Sequence, residues 1–373
     1  MANMVDYIKW RGDLSIERVR YCEVDALILA FLSYLPYKGI VPERFSDGAV
    51  TLSEALDALL NAAPVSAQAE AAADNAQLLT LCRDSERLGP IGITGFVEKF
   101  SGAEQEQFSA STALLGDGTL AISYRGTDGS LVGWKENFNM AFAPSVPAQR
   151  DAVEYLVDAA RYFDRPIRLG GHSKGGNLAV YAAAFCPENV LSSIIEVCNF
   201  DGPGFNEQLA SSGRLEQLEG RVRTYLPESS IVGVLLEQAR HFIVVESTAV
   251  GGIAQHDVRT WKVMRDHFIT LDALSGSSLL IDETLKNWTE RMPPEKRKQV
   301  IDAVYSVLSV AGDQPVEALL SGKNALPILA ATLGMDAQTR LSVLEAFGLL
   351  AQSFNQALPG WLAGRTELGK KSA

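Results

Sequence analysis

Pro166-Ile167-Arg168-Leu169-Gly170-Gly171-His172-Ser173-Lys174-Gly175-Gly176-Asn177-Leu178-Ala179 lies near the middle of a 373-residue chain. It reads as a short strand, a Gly-x-Ser-x-Gly turn and the start of a helix. In such an elbow the serine occupies a sharp strand-to-helix bend, with its hydroxyl exposed above a sheet. Gly171 and Gly175 let strand and helix approach without a Cβ clash. One serine among many is thereby marked as a candidate nucleophile.

Working outward, the flanking segments alternate between strand and helix. Upstream, Phe108–Leu115 and Thr119–Tyr124 are strands joined across the Gly116-Asp117-Gly118 turn. Residues Gln149 to Phe163 predict a helix with Val153, Leu156, Val157 and Ala160 on one face. Downstream, Ile194–Phe200, Val222–Leu226 and His241–Glu246 read as further strands. This order predicts an α/β architecture with a mostly parallel central sheet and flanking helices.

The N-terminal part is helical. Asp25 to Leu35 predicts an apolar helix ending before Pro36, and Ser53 begins another with Thr51 as N-cap and Glu54 at the box position. The alanine-rich stretch Ala67–Ala76 also reads as helix. Beyond Leu271, helices are expected at Asp282–Leu285, Pro294–Leu308, Gln314–Leu320 and Gln338–Leu358. The expected organisation is residues 1–90 as a helical layer belonging to the central domain, 91–275 as its α/β core, and 276–373 as a C-terminal helical subdomain or extension. That extension either packs on the sheet domain or forms a homo-oligomer contact.

Apolar residues make up 47% of the chain and the formal net charge is -12. An acidic chain disfavours non-specific binding to nucleic acid or to an anionic membrane, and leaves a neutral or apolar small molecule as the expected partner. Cys22, Cys82, Cys186 and Cys198 form neither a CxxC pair nor a metal-ligand spacing. They fit a reducing compartment. No basic region followed by an apolar run opens the sequence, and no uncharged apolar segment reaches membrane-spanning length. A cytoplasmic location is the resulting expectation. The elbow lacks the glycine spacing of a dinucleotide site and the Gly-Lys-Ser/Thr order of a P-loop, so no cofactor and no metal are expected.

A nucleophilic serine needs a base, and the base an orienting acid. The histidines are His172, His241, His256 and His267. His172 lies inside the elbow, which suits packing or the margin of a substrate pocket. His256, in Gly251-Gly252-Ile253-Ala254-Gln255-His256-Asp257, follows a late strand and is the expected base; the plainer reading is a surface-loop histidine. Asp201 ends the Ile194–Phe200 strand and opens Asp201-Gly202-Pro203-Gly204, which makes it the expected acid or an Asx-type turn residue. Glu228, after the next strand, is the alternative acid. For an oxyanion site the expected donors are the backbone N–H of Lys174 and Thr127, in the Arg125-Gly126-Thr127 turn. Trp134 is either an acyl-pocket wall or core packing.

The Tyr-Arg-Gly-Thr segment, the Gly-His-Ser-Lys-Gly elbow and His256 together resemble the class 3 lipase branch of the α/β-hydrolases. There the small hydroxyl residue after Arg-Gly is an oxyanion donor, which falls on Thr127. More closely, the chain resembles a bacterial lipase-like α/β-hydrolase family of unknown function. Asp6-Tyr7-Ile8-Lys9-Trp10-Arg11-Gly12-Asp13, the extended elbow, Phe200-Asp201-Gly202-Pro203-Gly204 and Gln255-His256-Asp257 carry that likeness over roughly the first three quarters of the sequence. Where class 3 lipases have an acid in an Asp-x-Val-Pro pattern, this chain reads Ser229-Ser230-Ile231-Val232-Gly233. Its Phe-Asp-Gly-Pro turn is instead similar to the Leu-Asp-Pro turn of pancreatic-type lipases, whose acid sits one strand earlier. The resemblance implies the α/β-hydrolase fold and a Ser-His-Asp esterase. Acyl transfer or thioester hydrolysis would use the same residues, and a catalytically silent scaffold binding a ligand or protein is the alternative from another class.

Overall fold

The elbow is the geometric centre of the fold. Strand Ile167–His172 runs through the sheet interior, and helix Lys174–Phe185 is buried from Lys174 to Ala184. Small residues at Ala179, Ala182, Ala183 and Ala184 let this helix lie close to the strands. The computed structural model describes residues 2–62, 75–127, 131–141, 143–237, 241–309, 334 and 336–371.

In chain order the strands are β1 (Val50–Thr51), β2 (Gly92–Ser101), β3 (Glu106–Leu114), β4 (Leu120–Tyr124), β5 (Ile167–His172), β6 (Ile194–Phe200), β7 (Val222–Pro227), β8 (Phe242–Val245), β9 (Val263–Met264), β10 (His267–Phe268) and β11 (Thr270–Leu271). The helices are α1 (Met4–Arg11), α2 (Glu23–Leu32), α3 (Leu52–Asn61), α4 (Ala76–Asp84), α5 (Leu131–Asn139), α6 (Pro147–Phe163), α7 (Lys174–Phe185), α8 (Glu188–Leu191), α9 (Glu207–Ala210), α10 (Gly252–Gln255), α11 (Gly276–Glu290), α12 (Pro294–Ser309) and α13 (Ala337–Lys371).

Nine strands form one sheet in the order β1-β2-β3-β4-β5-β6-β7-β8-β11. The run β4 to β8 is parallel, while β1, β2, β3 and β11 pair antiparallel at its two sides. This is the largely parallel, helix-flanked sheet of an α/β-hydrolase-like fold with a C-terminal helical extension. In the ladder Tyr124 stands opposite Gly171, His172 opposite Phe200, and Phe200 opposite Tyr225. The loops that leave β4, β5, β6 and β7 therefore emerge along one edge, the carboxyl edge where open α/β sheets gather their ligand-binding residues.

Two apolar layers hold the sheet. One brings α2, α3 and α4 onto it through Leu27, Ile28, Leu56 and Leu79, joined by Phe200 and Trp261. The other packs α6 and α7 against Ile122, Leu169 and Val197 through Leu156 and Leu178. Each such fully buried aliphatic side chain contributes roughly 1.5–3 kcal/mol of hydrophobic stabilisation. The expected capping box is present: the Thr51 hydroxyl accepts from Glu54 N at 3.1 Å while the Glu54 carboxylate accepts from Thr51 N at 2.8 Å.

Some local readings differ from the structure. On α6 the buried stripe is Ala152, Leu156 and Ala159, so the face is rotated from Val153, Val157 and Ala160, which are only partly covered. Strand β2 was not legible in the sequence, because a bulge between Thr94 and Val97, with Gly95 at φ 64°, breaks its alternation. The predicted helices at Ala67–Ala76, up to residue 74, and at Gln314–Leu320 lie outside the described residues. Among the described residues no helix is long and apolar enough to cross a membrane.

Candidate active site

Ser173 sits between β5 and α7 with φ 57° and ψ -131°, a backbone region that costs a non-glycine residue about 1–3 kcal/mol. Its amide donates to Phe200 O at 2.9 Å, which ties the bend to the end of β6. Close packing makes the flanking glycines obligatory: a Cβ on Gly171 would lie 2.2 Å from the Gly175 carbonyl carbon, and one on Gly175 would lie 2.1 Å from Tyr124 O. Ser173 itself is half-buried.

The turn after β4 lies against this bend. A Cβ on Gly126 would fall 2.0 Å from the Tyr34 hydroxyl and 2.7 Å from His172 O. Thr127 follows, half-buried, and its hydroxyl oxygen accepts from Asn137 Nδ2 at 2.7 Å. That bond occupies a lone pair of the threonine and leaves its own O–H proton to be directed elsewhere. Arg125 is anchored to Glu98 at 2.7 Å.

Asp201 directly follows β6 with φ 49° and is wholly buried. One carboxylate oxygen accepts from Ser230 Oγ at 2.5 Å and from Gly233 N at 3.1 Å. The other lies 2.6 Å from His256 Nδ1. A carboxylate oxygen accepts, so Nδ1 carries a proton, and in the neutral ring Nε2 keeps its lone pair. His256 caps the short helix α10, which is held from both sides: Gln255 Oε1 accepts from Ser229 N at 2.7 Å, and Gln255 O accepts from Trp261 Nε1 at 2.9 Å. The His256 side chain keeps 23% exposure, enough to meet a molecule from solvent. Glu228, the alternative acid, engages its surroundings through its backbone, with N on Val245 O and O on Ser275 N. Among the described residues its carboxylate makes no hydrogen bond to His256, and Ser173 Oγ is not yet hydrogen-bonded to the imidazole.

His172 is buried between two other residues. Its Nε2 lies 2.9 Å from His256 O and its Nδ1 3.1 Å from the Tyr34 hydroxyl. A carbonyl can only accept, so Nε2 bears the proton and Nδ1 accepts from the tyrosine. Burial, reinforced by the neighbouring His256, holds the His172 pKa well below its ordinary 6.5. The ring is thus a neutral strut between the N-terminal layer and the His256 loop.

The Lys174 side chain turns inward. Nζ donates to Glu136 Oε2 at 2.9 Å and to Gln107 O at 2.5 Å, with both members of the ion pair at 0% exposure. Glu136 also accepts from the amides of Gln107 and Ala148. The side chain of Trp134 lies outside the described residues. Tyr34, Glu136, Asn137 and Ser230 escaped the sequence reading; only the Lys135-Glu136-Asn137 run, polar in an otherwise apolar segment, offered a signal. A cleft of about 540 Å³ between α11 and α13, lined by Ile281, Leu285, Leu350 and Phe354, shares no residue with this site. Among the described residues no cluster of His, Cys, Asp and Glu is arranged to hold a metal.

A family model described as Mbeg1-like matches residues 82–306, more than half of the chain. Among solved structures the chain is similar to the Rhizomucor miehei lipase propeptide complex, at 17% identity and a TM-score of 0.35, over 55% of this chain and 67% of that one. It is also similar to M37 lipase, at 14% identity and a TM-score of 0.37, over 57% of this chain and 70% of that one. No curated protein matches it.

Proposed function

The chain belongs to the Mbeg1-like family, and from its site geometry we propose that it is a serine hydrolase acting on carboxylic esters of small molecules. Ser173 is the nucleophile, His256 the base, and Asp201 the acid that orients it. The observation carrying this reading is the 2.6 Å bond from buried Asp201 to His256 Nδ1, next to a serine held at φ 57°.

Ester binding brings Ser173 Oγ within reach of His256 Nε2, a contact that commonly tightens only once substrate is present. Oγ attacks the carbonyl carbon as its proton passes to Nε2, and Asp201 stabilises the resulting imidazolium. The Lys174 N–H and Thr127 donate to the oxyanion. Collapse expels the alcohol, which takes the proton from Nε2 and leaves an acyl-serine. Water, deprotonated by the same imidazole, then releases the acid. In this role residues 1–275 act as one hydrolase domain and 276–373 as its extension. The free cysteines, three of them buried, support a reducing compartment such as the cytoplasm.

The test is a fluorophosphonate probe on the intact protein, with the modified peptide identified by mass spectrometry. The expected result is a label on Ser173, lost in Ser173→Ala together with p-nitrophenyl ester turnover. A folded wild-type protein that neither labels nor turns over ester would overturn the proposal in favour of a silent scaffold.

A further inference from the structure

Three consecutive residues of α5 send their side chains to three different parts of the molecule. Lys135, at 2% side-chain exposure, ion-pairs with Asp302 on α12. Glu136 holds Lys174, the residue after the elbow serine. Asn137 holds the hydroxyl of Thr127. Successive helix positions differ by about 100°, so one short helix joins the C-terminal extension to both proposed oxyanion donors.

We propose that Asp302 is a positioning residue for the oxyanion site, holding α5, and through it Thr127 and the Lys174 amide, by its ion pair with Lys135. The inference rests on the serine-hydrolase reading above.

The energetics favour this tie over a decorative one. Lys135 is a buried cation, and a buried charge is stable only when paired. Its counter-charge comes from outside the α/β core. Removing Asp302 takes that counter-charge from a lysine side chain at 2% exposure and so weakens the hold on α5. Burial works against the Asp302 charge, but hydrogen bonds from Lys135 and Lys298 outweigh it and hold the carboxyl below the usual range. α12 also packs directly against α5, so Asp302 reaches Lys135 across a helix–helix contact. The extension is also seated before α12 begins: Ser278 Oγ of α11 donates to Ser230 O at 2.6 Å, and Ser230 Oγ bonds to Asp201. Asp302 therefore stands on a mount fixed to the site it positions.

The experiment uses the full chain. Asp302→Ala and Lys135→Met each break the tie, and the second leaves no buried charge if the first fails to fold. Asp302→Glu restores a carboxylate. Lys298→Ala removes the other, exposed partner of Asp302 as a control. Two readouts are taken: p-nitrophenyl butyrate kinetics, and hydrogen exchange of the peptide covering residues 124–140. The tie-breaking variants should lower kcat roughly tenfold or more, short of the 10²–10³ expected for deleting a donor outright, with KM within about twofold. Exchange in the peptide should quicken in both. Asp302→Glu should recover most of the rate, Lys298→Ala should change neither readout, and Asp302→Ala combined with Asn137→Ala should cost less than the product of the single effects. Unchanged exchange, unchanged kcat, or strictly multiplicative effects would overturn the proposal. If the wild type neither turns over ester nor labels at Ser173, the hydrolase reading fails, and exchange alone then decides whether Asp302 holds the Thr127 turn.

Discussion

Lys174 Nζ lies 2.9 Å from Glu136 Oε2, and neither side chain reaches solvent. The residue whose amide is the proposed oxyanion donor is thus held by its side chain from behind. Pulling Lys174 into the protein fixes the first turn of α7 against β3 and α5.

Breaking that pair should be costly to stability. Glu136→Ala strands a buried ammonium, and removing one partner of a buried ion pair typically costs about 3–5 kcal/mol. Glu136→Leu combined with Lys174→Met should cost distinctly less than Glu136→Ala, because no charge is then left without a counter-ion. Urea unfolding with an unchanged m-value checks both; equal losses in the two proteins would show that packing, and not charge, is what matters there.

Asp201 and Glu228 can be separated by isosteric amides. Asp201→Asn keeps the shape of the carboxylate but disturbs the His256 tautomer, and should lower kcat by roughly 10⁴-fold, as in triads where the acid orients the imidazole. Glu228→Gln should leave kcat within about twofold, since its carboxylate makes no bond to His256 among the described residues. Ester kinetics on the two purified variants decide the matter, and the reverse ranking would assign the acid to Glu228.

Thr127→Val removes a hydroxyl while keeping β-branched bulk. Loss of one oxyanion donor predicts a kcat lower by roughly 10²–10³-fold with little change in KM. Thr127→Ser should retain most of the rate. A valine variant as active as the wild type would remove Thr127 from the oxyanion role.

Acid stability should carry two opposing contributions. His172 has a folded-state pKa well below 6.5, so the unfolded chain binds its proton first and stability falls as pH drops below about 6.5, by at most about 1.4 kcal/mol per pH unit. Glu106 behaves oppositely: its hydrogen bond with Asp151, burial and the nearby Asp151 charge raise its pKa from 4.5 to about 7, so the folded state binds the proton and its contribution is lost as pH rises through that window. His172→Gln should therefore flatten the loss of Tm between pH 7.5 and 5, and Glu106→Gln should steepen it. Thermal melts across that range would expose an error in either sign.

Much of the fold was legible because its signals are short-range. The Gly171-His172-Ser173-Lys174-Gly175 bend follows from which residues can pass a strand into a helix without a clash, and the Thr51–Glu54 cap from groups three positions apart. Alternating strand and helix segments were enough to indicate a mostly parallel sheet. β2 escaped because a bulge erases the period-two pattern on which such a reading depends.

What the sequence by itself determined is the α/β class of the fold and the local chemistry along one sheet edge: a serine at a sharp turn, with hydroxyl, carboxylate and imidazole residues after other strands of the same parallel run. Only the tertiary structure decided how those groups are held. Tyr34 meets His172 across 138 positions, Ser230 meets Asp201 across 29, and Lys135 meets Asp302 across 167. A lysine in a sequence reads as surface, because an unpaired ammonium belongs in water. Lys135 and Lys174 are buried only because folding delivers carboxylates from distant segments, and no local pattern encodes that pairing.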